Sequence, residues 1–159
     1  MLSVYLICVG KLKEPFYKDA CAEYIKRLSA YCKLTLVEIP EVKLSKAPTL
    51  GEITNALAKE GDAIRQKIPP SARVAALCVE GRMRSSEEMA RMIPAQGSQD
   101  KHLVFLIGGS YGLHPSIKAE ASVQLSMSPM TFPHHLARVM LLEQIYRAFK
   151  INEGSSYHK

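Results

Sequence analysis

The sequence predicts an α/β fold: a parallel sheet flanked by helices on both faces. Three observations carry this. Short apolar runs alternate with amphipathic helical stretches along the 159 residues. The runs are continuously apolar, as strands covered on both faces require. They also run into glycine, proline or hydroxyl-rich loops, so those loops gather at the carboxyl edge of the sheet, where such folds bind ligands.

Each element follows from local chemistry. Residues 2–9 form an apolar strand ending at Gly10. Residues 14–30 form a helix, with Phe16, Tyr17, Ala20, Cys21, Tyr24, Ile25 and Leu28 on one face. Residues 34–39 form a strand stopped by Pro40, and residues 41–49 a polar loop holding Lys43 and Lys46. Residues 50–67 form a helix with a weaker stripe (Ile53, Leu57, Ile64) and an internal Gly61, broken at Pro69-Pro70. Residues 74–79 form a third strand closing on Glu80-Gly81. Ser85 or Ser86 caps the next helix, and Glu88 completes a capping box with Ser85; that helix runs through Met89, Met92 and Ile93 to Pro94. Residues 103–107 enter Gly108-Gly109, residues 123–127 form a short fifth strand, and Pro133 leads into a last helix over 134–151. No linker or repeat divides the chain, so residues 1–159 read as a single domain.

Composition narrows the function classes. The chain is 47% apolar, which is incompatible with a disordered chain. Its net charge of +6 favours a polyanionic partner. The four cysteines (Cys8, Cys21, Cys32, Cys78) show neither CxxC pairing nor metal-ligand spacing and read as reduced residues of a cytoplasmic protein. The apolar start lacks a basic flank and a cleavage site, so it reads as a strand, not a signal peptide. No run has the length of a membrane span, and no metal is expected.

The last third bears the chemistry. Gly108-Gly109-Ser110-Tyr111-Gly112 is neither a GxGxxG fingerprint nor a P-loop. Its glycines permit close backbone approach to a ligand, or simply a tight turn. The loop Ser128-Pro129-Met130-Thr131-Phe132-Pro133 is stiffened by two prolines and offers amides, carbonyls and hydroxyls to a purine edge, unless it is only a helix start. In the last helix, Leu136, Val139, Met140, Leu141, Leu142, Ile145, Tyr146 and Phe149 surround the circumference. Such a helix must be buried all round, by the sheet on one face and by a partner subunit on the other, so a homodimer is expected. Arg138, Glu143 and Arg147 then sit in or near that interface; Glu143 and Arg147 are spaced for an intrahelical ion pair, and the arginines for a phosphate across the dimer. The tail ends in Tyr157, His158 and Lys159, a set suited to stacking, proton transfer and phosphate contact if it is not merely frayed.

Together, LIGGSYGL, LSMSPMTFPHHLARVMLLEQIYRAF and the ending YHK resemble the SPOUT-superfamily methyltransferases that modify N3 of a pseudouridine of 23S ribosomal RNA, the RlmH family. VGKLKEPF and ALCVEGRMRSSEEMA fit too, so the likeness covers the full chain. It implies a sheet whose C-terminal part is threaded as a deep trefoil knot (the alpha-beta knot), which no periodicity could show. It implies S-adenosylmethionine held by Leu77, by Gly108 and Gly109, and by Met127, Ser128, Pro129, Met130, Thr131 and Phe132. It also implies a homodimer acting on the assembled ribosome, in which His158 and Tyr157 from one subunit's tail complete the other's site, while Arg138 and Arg147 hold phosphate or developing charge. Ser156 stands where family tails carry Pro or Ala. His135 stands where small or amide residues are common, and no role is attached to it. The competing readings are a non-catalytic ribosome-binding protein of the same fold, a nucleotide-dependent oxidoreductase without its glycine fingerprint, and a thiol enzyme with no cysteine beside a histidine.

Overall fold

The computed structural model describes residues 1–159. Five strands, β1 (Ser3–Val9), β2 (Lys33–Ile39), β3 (Arg73–Met83), β4 (His102–Ile107) and β5 (Val123–Ser126), pair in the order β2-β1-β4-β3-β5. All pairings are parallel. The helices are α1 (Pro15–Leu28), α2 (Leu50–Arg65), α3 (Ser86–Met92), α4 (Pro115–Glu120) and α5 (His134–Asn152), followed by a 3-10 turn at Ser156–His158.

Strand alternation divides the core in two. Val4, Leu6 and Cys8 of β1 and Leu103, Phe105 and Ile107 of β4 point to one face, where they meet Cys21 and Leu28 of α1, Met89 and Met92 of α3, and Leu141, Leu142 and Ile145 of α5. Ile7, Val9, Val104 and Leu106 point to the other, against Ile64 of α2 and Ile117 of α4. This explains the unbroken apolar runs. Gly61 lets α2 approach α4: a Cβ there would stand 3.1 Å from Ile117 Cγ1.

Four features depart from the sequence reading. β3 extends to Met83, with its pairing to β5 shifting between Leu77 and Arg82, so residues 78–81 bulge from the ladder. α4 is a short helix that periodicity did not reveal; Pro115 opens it and His114 Nδ1 accepts the Ser116 N–H as its cap. α5 is flanked within its own chain by α1 and α3, and only part of its circumference is left over. Leu136 and Met140 are half-buried but belong to neither core cluster. Phe16, which helical spacing put on the inner face of α1, is exposed. The Ser85–Glu88 capping box of α3 is formed with both hydrogen bonds.

Candidate active site

Register brings the loops together. Cys8 pairs with Ile107, Val9 with Ile39, and Ala76 with Leu106, so the ends of β1, β2 and β4 lie beside the point where β3 leaves β4 and bulges. Two adjoining cavities open at this edge.

The first, of about 650 Å³, lies between the β3 bulge and the loops after β4 and β5. Leu77, Gly108, Gly109, Met127, Ser128, Met130, Thr131 and Phe132 line it; Pro129 does not. Its floor is apolar, from Leu77, Ile107, Leu113 and Leu125. The glycine turn is tight for a steric reason: a Cβ on Gly108 would fall onto the carbonyl group of Gly112, and Gly112 has φ +79°. The Gly112 N–H closes the turn by donating to the Gly109 carbonyl at 3.0 Å. In the last loop, the Ser126 hydroxyl donates to the Ser128 carbonyl at 3.1 Å and the Met130 N–H donates to Ser128 Oγ at 3.0 Å. The charged groups on this wall, Glu80 and Lys118, form an ion pair that ties the bulge to α4. That pairing holds the Glu80 carboxyl below its usual range. The volume and the apolar, backbone-rich lining fit a nucleoside-sized ligand of low net charge. Lys118 was missed by the sequence reading because α4, which places it, was not legible; Glu80 and Tyr111 lie on loops that reading sent to this edge, but it gave them no role.

The second cavity is a larger cleft of about 1190 Å³ under the loops after β1 and β2. It shares Ser110, Tyr111 and His134 with the first. Glu41 bridges the two: its Oε1 accepts the Ser110 N–H at 3.2 Å, and a Cβ on Gly109 would come within 2.7 Å of the same oxygen.

Arg138 requires correction. Placed by its helix at an interface rim and given to phosphate, it is instead 1% exposed. Its Nη1 donates to Glu38 Oε2 at 2.9 Å and its Nη2 to the Gly10 carbonyl at 3.2 Å. Helical phase turns position 138 toward the sheet, where β2 supplies the carboxylate, so its guanidinium faces the protein's own core and not an open rim. Burial alone would raise the Glu38 carboxyl, but Arg138 and the Leu12 N–H hold it below its ordinary value.

Tyr157, His158 and Arg147 do form one cluster, away from both cavities. Arg147 pairs with Glu143 at 2.7 Å and stacks 4.7 Å over the Tyr157 ring. The Tyr157 hydroxyl donates to Glu143 at 3.0 Å. Burial, then Glu143, raises the phenol above its usual value. His158 Nε2 is 2.7 Å from Glu87 on α3, and its Nδ1 is 3.5 Å from Arg147 Nη1. The tail is therefore a fixed platform on α3 and α5, not a frayed end.

A sheet with loops of this kind at its carboxyl edge, and a backbone-walled nucleoside pocket among them, defines a class of cofactor-binding α/β proteins. The family described as "Predicted SPOUT methyltransferase" matches residues 2–158, and the chain belongs to it. The chain is also 48% identical over 159 residues to the ribosomal RNA large subunit methyltransferase H of Bifidobacterium adolescentis, covering 99% of this chain and all of that one. The protein is thus a methyltransferase. No helix is long and apolar enough to cross a membrane, and no group of three or more His, Cys, Asp or Glu side chains is placed to hold a metal ion.

Proposed function

We propose that this chain transfers a methyl group from S-adenosylmethionine to N3 of a pseudouridine of large-subunit ribosomal RNA in the assembled ribosome, as a cytoplasmic homodimer. The carrying observation is the first cavity, whose lining contains Leu77, the glycine turn and the 127–132 loop, with its one ion pair already internally satisfied. When bound, S-adenosylmethionine supplies an electrophilic methyl on a sulfonium, so the transfer requires no Lewis acid. What remains for the chain is alignment of donor and acceptor, worth about 7–11 kcal/mol in well-oriented systems, and removal of the N3 proton.

The tail supports a dimer. Tyr157, His158 and Arg147 are held rigidly yet line neither cavity of their own chain, so they are available to a second copy's site. Leu136 and Met140 give α5 an apolar face outside both cores. There the tail would bind and orient the nucleotide, with Arg147 offsetting developing negative charge. The net charge of +6 suits the RNA, and added salt weakens such binding. The knot belongs to the same reading: β5 at the sheet edge and α5 returning across β4 are wiring that supports a trefoil crossing.

Calorimetric titration with S-adenosylmethionine, with NADH as control, followed by methyl transfer to unmodified ribosomes, tests this. Binding of the methyl donor alone and labelling of large-subunit RNA are expected. Ribosome binding without methyl-donor binding would leave only a non-catalytic ribosome-binding role.

A further inference from the structure

The proposed reaction needs a group to take the N3 proton, and the tail histidine is poorly placed to be it. Both ring nitrogens of His158 face partners: Nε2 meets Glu87 at 2.7 Å and Nδ1 meets Arg147 Nη1 at 3.5 Å. A neutral His158 donates from Nε2 and points its lone pair at a guanidinium. His134 is different. It belongs to the wall shared by the two cavities, at the first turn of α5. Pro133 before it and His135 set edge-on against it, with ring centroids 4.1 Å apart and planes at 69°, limit its rotation. Its Nε2 lies 3.6 Å from the position a Gly10 Cβ would take, so the ring packs directly against the turn after β1, where Gly10 holds φ +96°.

We propose that the cleft under the β1 and β2 loops receives the acceptor nucleotide, and that His134, standing between that cleft and the methyl-donor cavity, is the general base that takes the N3 proton. This rests on the methyltransferase reading above. Lys11, Lys13 and Lys43 line the cleft and suit the flanking phosphates, while Glu41 braces the turn between the two cavities. The balance is simple. The N3–H bond breaks and its proton passes to the unprotonated His134 nitrogen. The N3 lone pair forms the bond to the methyl carbon, and the carbon–sulfur pair returns to sulfur, leaving a neutral thioether. His134 later releases the proton to water. A base must be neutral at working pH, and burial first, then His135 and Arg138 on its own helix, lower the His134 pKa, against opposing pulls from Glu41 on the β2–α2 loop and Glu14 on the β1–α1 loop.

The test pairs kinetics with titration. Histidine ring nitrogens are followed by NMR in the free dimer, and single-turnover methylation of unmodified ribosomes is measured across pH for the wild type, His134→Gln and His158→Ala. The wild-type rate should rise through the pKa measured for His134 and then level. His134→Gln should lose about 10²–10⁴-fold near neutrality, keep S-adenosylmethionine affinity within about threefold, and recover as rising pH ionises N3–H unaided. His158→Ala should lose rate equally at every pH. A His134→Gln deficit that is flat with pH, a near-normal His134→Gln rate, or a collapse of methyl-donor affinity would overturn the assignment. Should His134→Gln not fold, a wild-type rate profile that fails to follow the His134 pKa overturns it by itself. A wild type that binds the methyl donor but leaves ribosomes unlabelled brings down the parent reading and this one with it. A labelled ribosome with an unaffected His134→Gln variant brings down this one alone.

Discussion

The cavity proposed for the methyl donor and the C-terminal platform are built from opposite materials. The cavity is made of backbone and apolar side chains held by the ends of buried strands: β4, which runs into the glycine turn, is fully buried along 103–107. The platform is made of side chains, with Glu143, Arg147, Tyr157, His158 and Glu87 holding one another on a partly exposed helix surface. The first is preorganised by the sheet and relies on charge only through the Glu80–Lys118 pair on its wall. The second depends on ion pairs that water and salt weaken. Under the proposed reaction this division gives a donor pocket fixed by the sheet and a polar surface fixed by side-chain pairs for a large charged substrate.

Four experiments sharpen or break the contrast. The largest effect should come from removing the platform. Truncation after Ile151 should lower ribosome methylation by about 10²–10³-fold, the scale for losing preorganised donors, and leave S-adenosylmethionine binding unchanged by calorimetry. Equal loss of both would show that the two regions are not independent.

Next is the brace beneath the pockets. Arg138→Leu leaves Glu38 without its cation and should cost about 3 kcal/mol in urea unfolding, the low end for a broken buried pair, because Glu38 is 34% exposed and keeps some water. The pH dependence follows from the lowered Glu38 carboxyl: in the wild type its contribution is complete above the ordinary value of 4.5 and fades as pH falls through the lower folded value. Arg138→Leu should flatten that acid limb, seen as a smaller loss of thermal midpoint between neutrality and acid.

Gly108→Ala should follow, at about 1–3 kcal/mol of overpacking, since its methyl would meet the Gly112 backbone. Here methyl-donor affinity, read by calorimetry, should fall with stability, whereas the truncation separates them. Smallest is Tyr157→Phe. It removes the hydroxyl donated to Glu143 but keeps the ring under Arg147. About 1 kcal/mol or less is expected in thermal unfolding, and methylation should become more salt-sensitive than in the wild type.

Much of the cavity was legible in the sequence. Glycines in a turn after a buried strand and two prolines in a hydroxyl-rich loop have local physical meaning, and strand order alone sends both loops to one edge. The arginines were less legible. Helical periodicity places Arg138 and Arg147 on a helix, but an all-round apolar helix has no phase from which to tell the sheet-facing arginine from the platform arginine. His134 was passed over for the same kind of reason: its interest lies in the two cavities it touches, and the second opens beneath the β1 and β2 loops, far away in sequence.

The sequence by itself determined the parallel α/β class, the positions of the five strands and four of the helices, and the loops that would face a ligand, because these follow from short-range patterns of apolar spacing, capping and turn residues. Tertiary structure alone decided the strand order β2-β1-β4-β3-β5, the bulge at residues 78–81, the burial of Arg138 on Glu38 and the seating of the tail on α3 and α5. Each of these is a contact between distant segments, Arg138 lying 100 residues from Glu38 and His158 71 from Glu87. Such contacts are chosen by packing and charge pairing in three dimensions, and no local pattern encodes the choice.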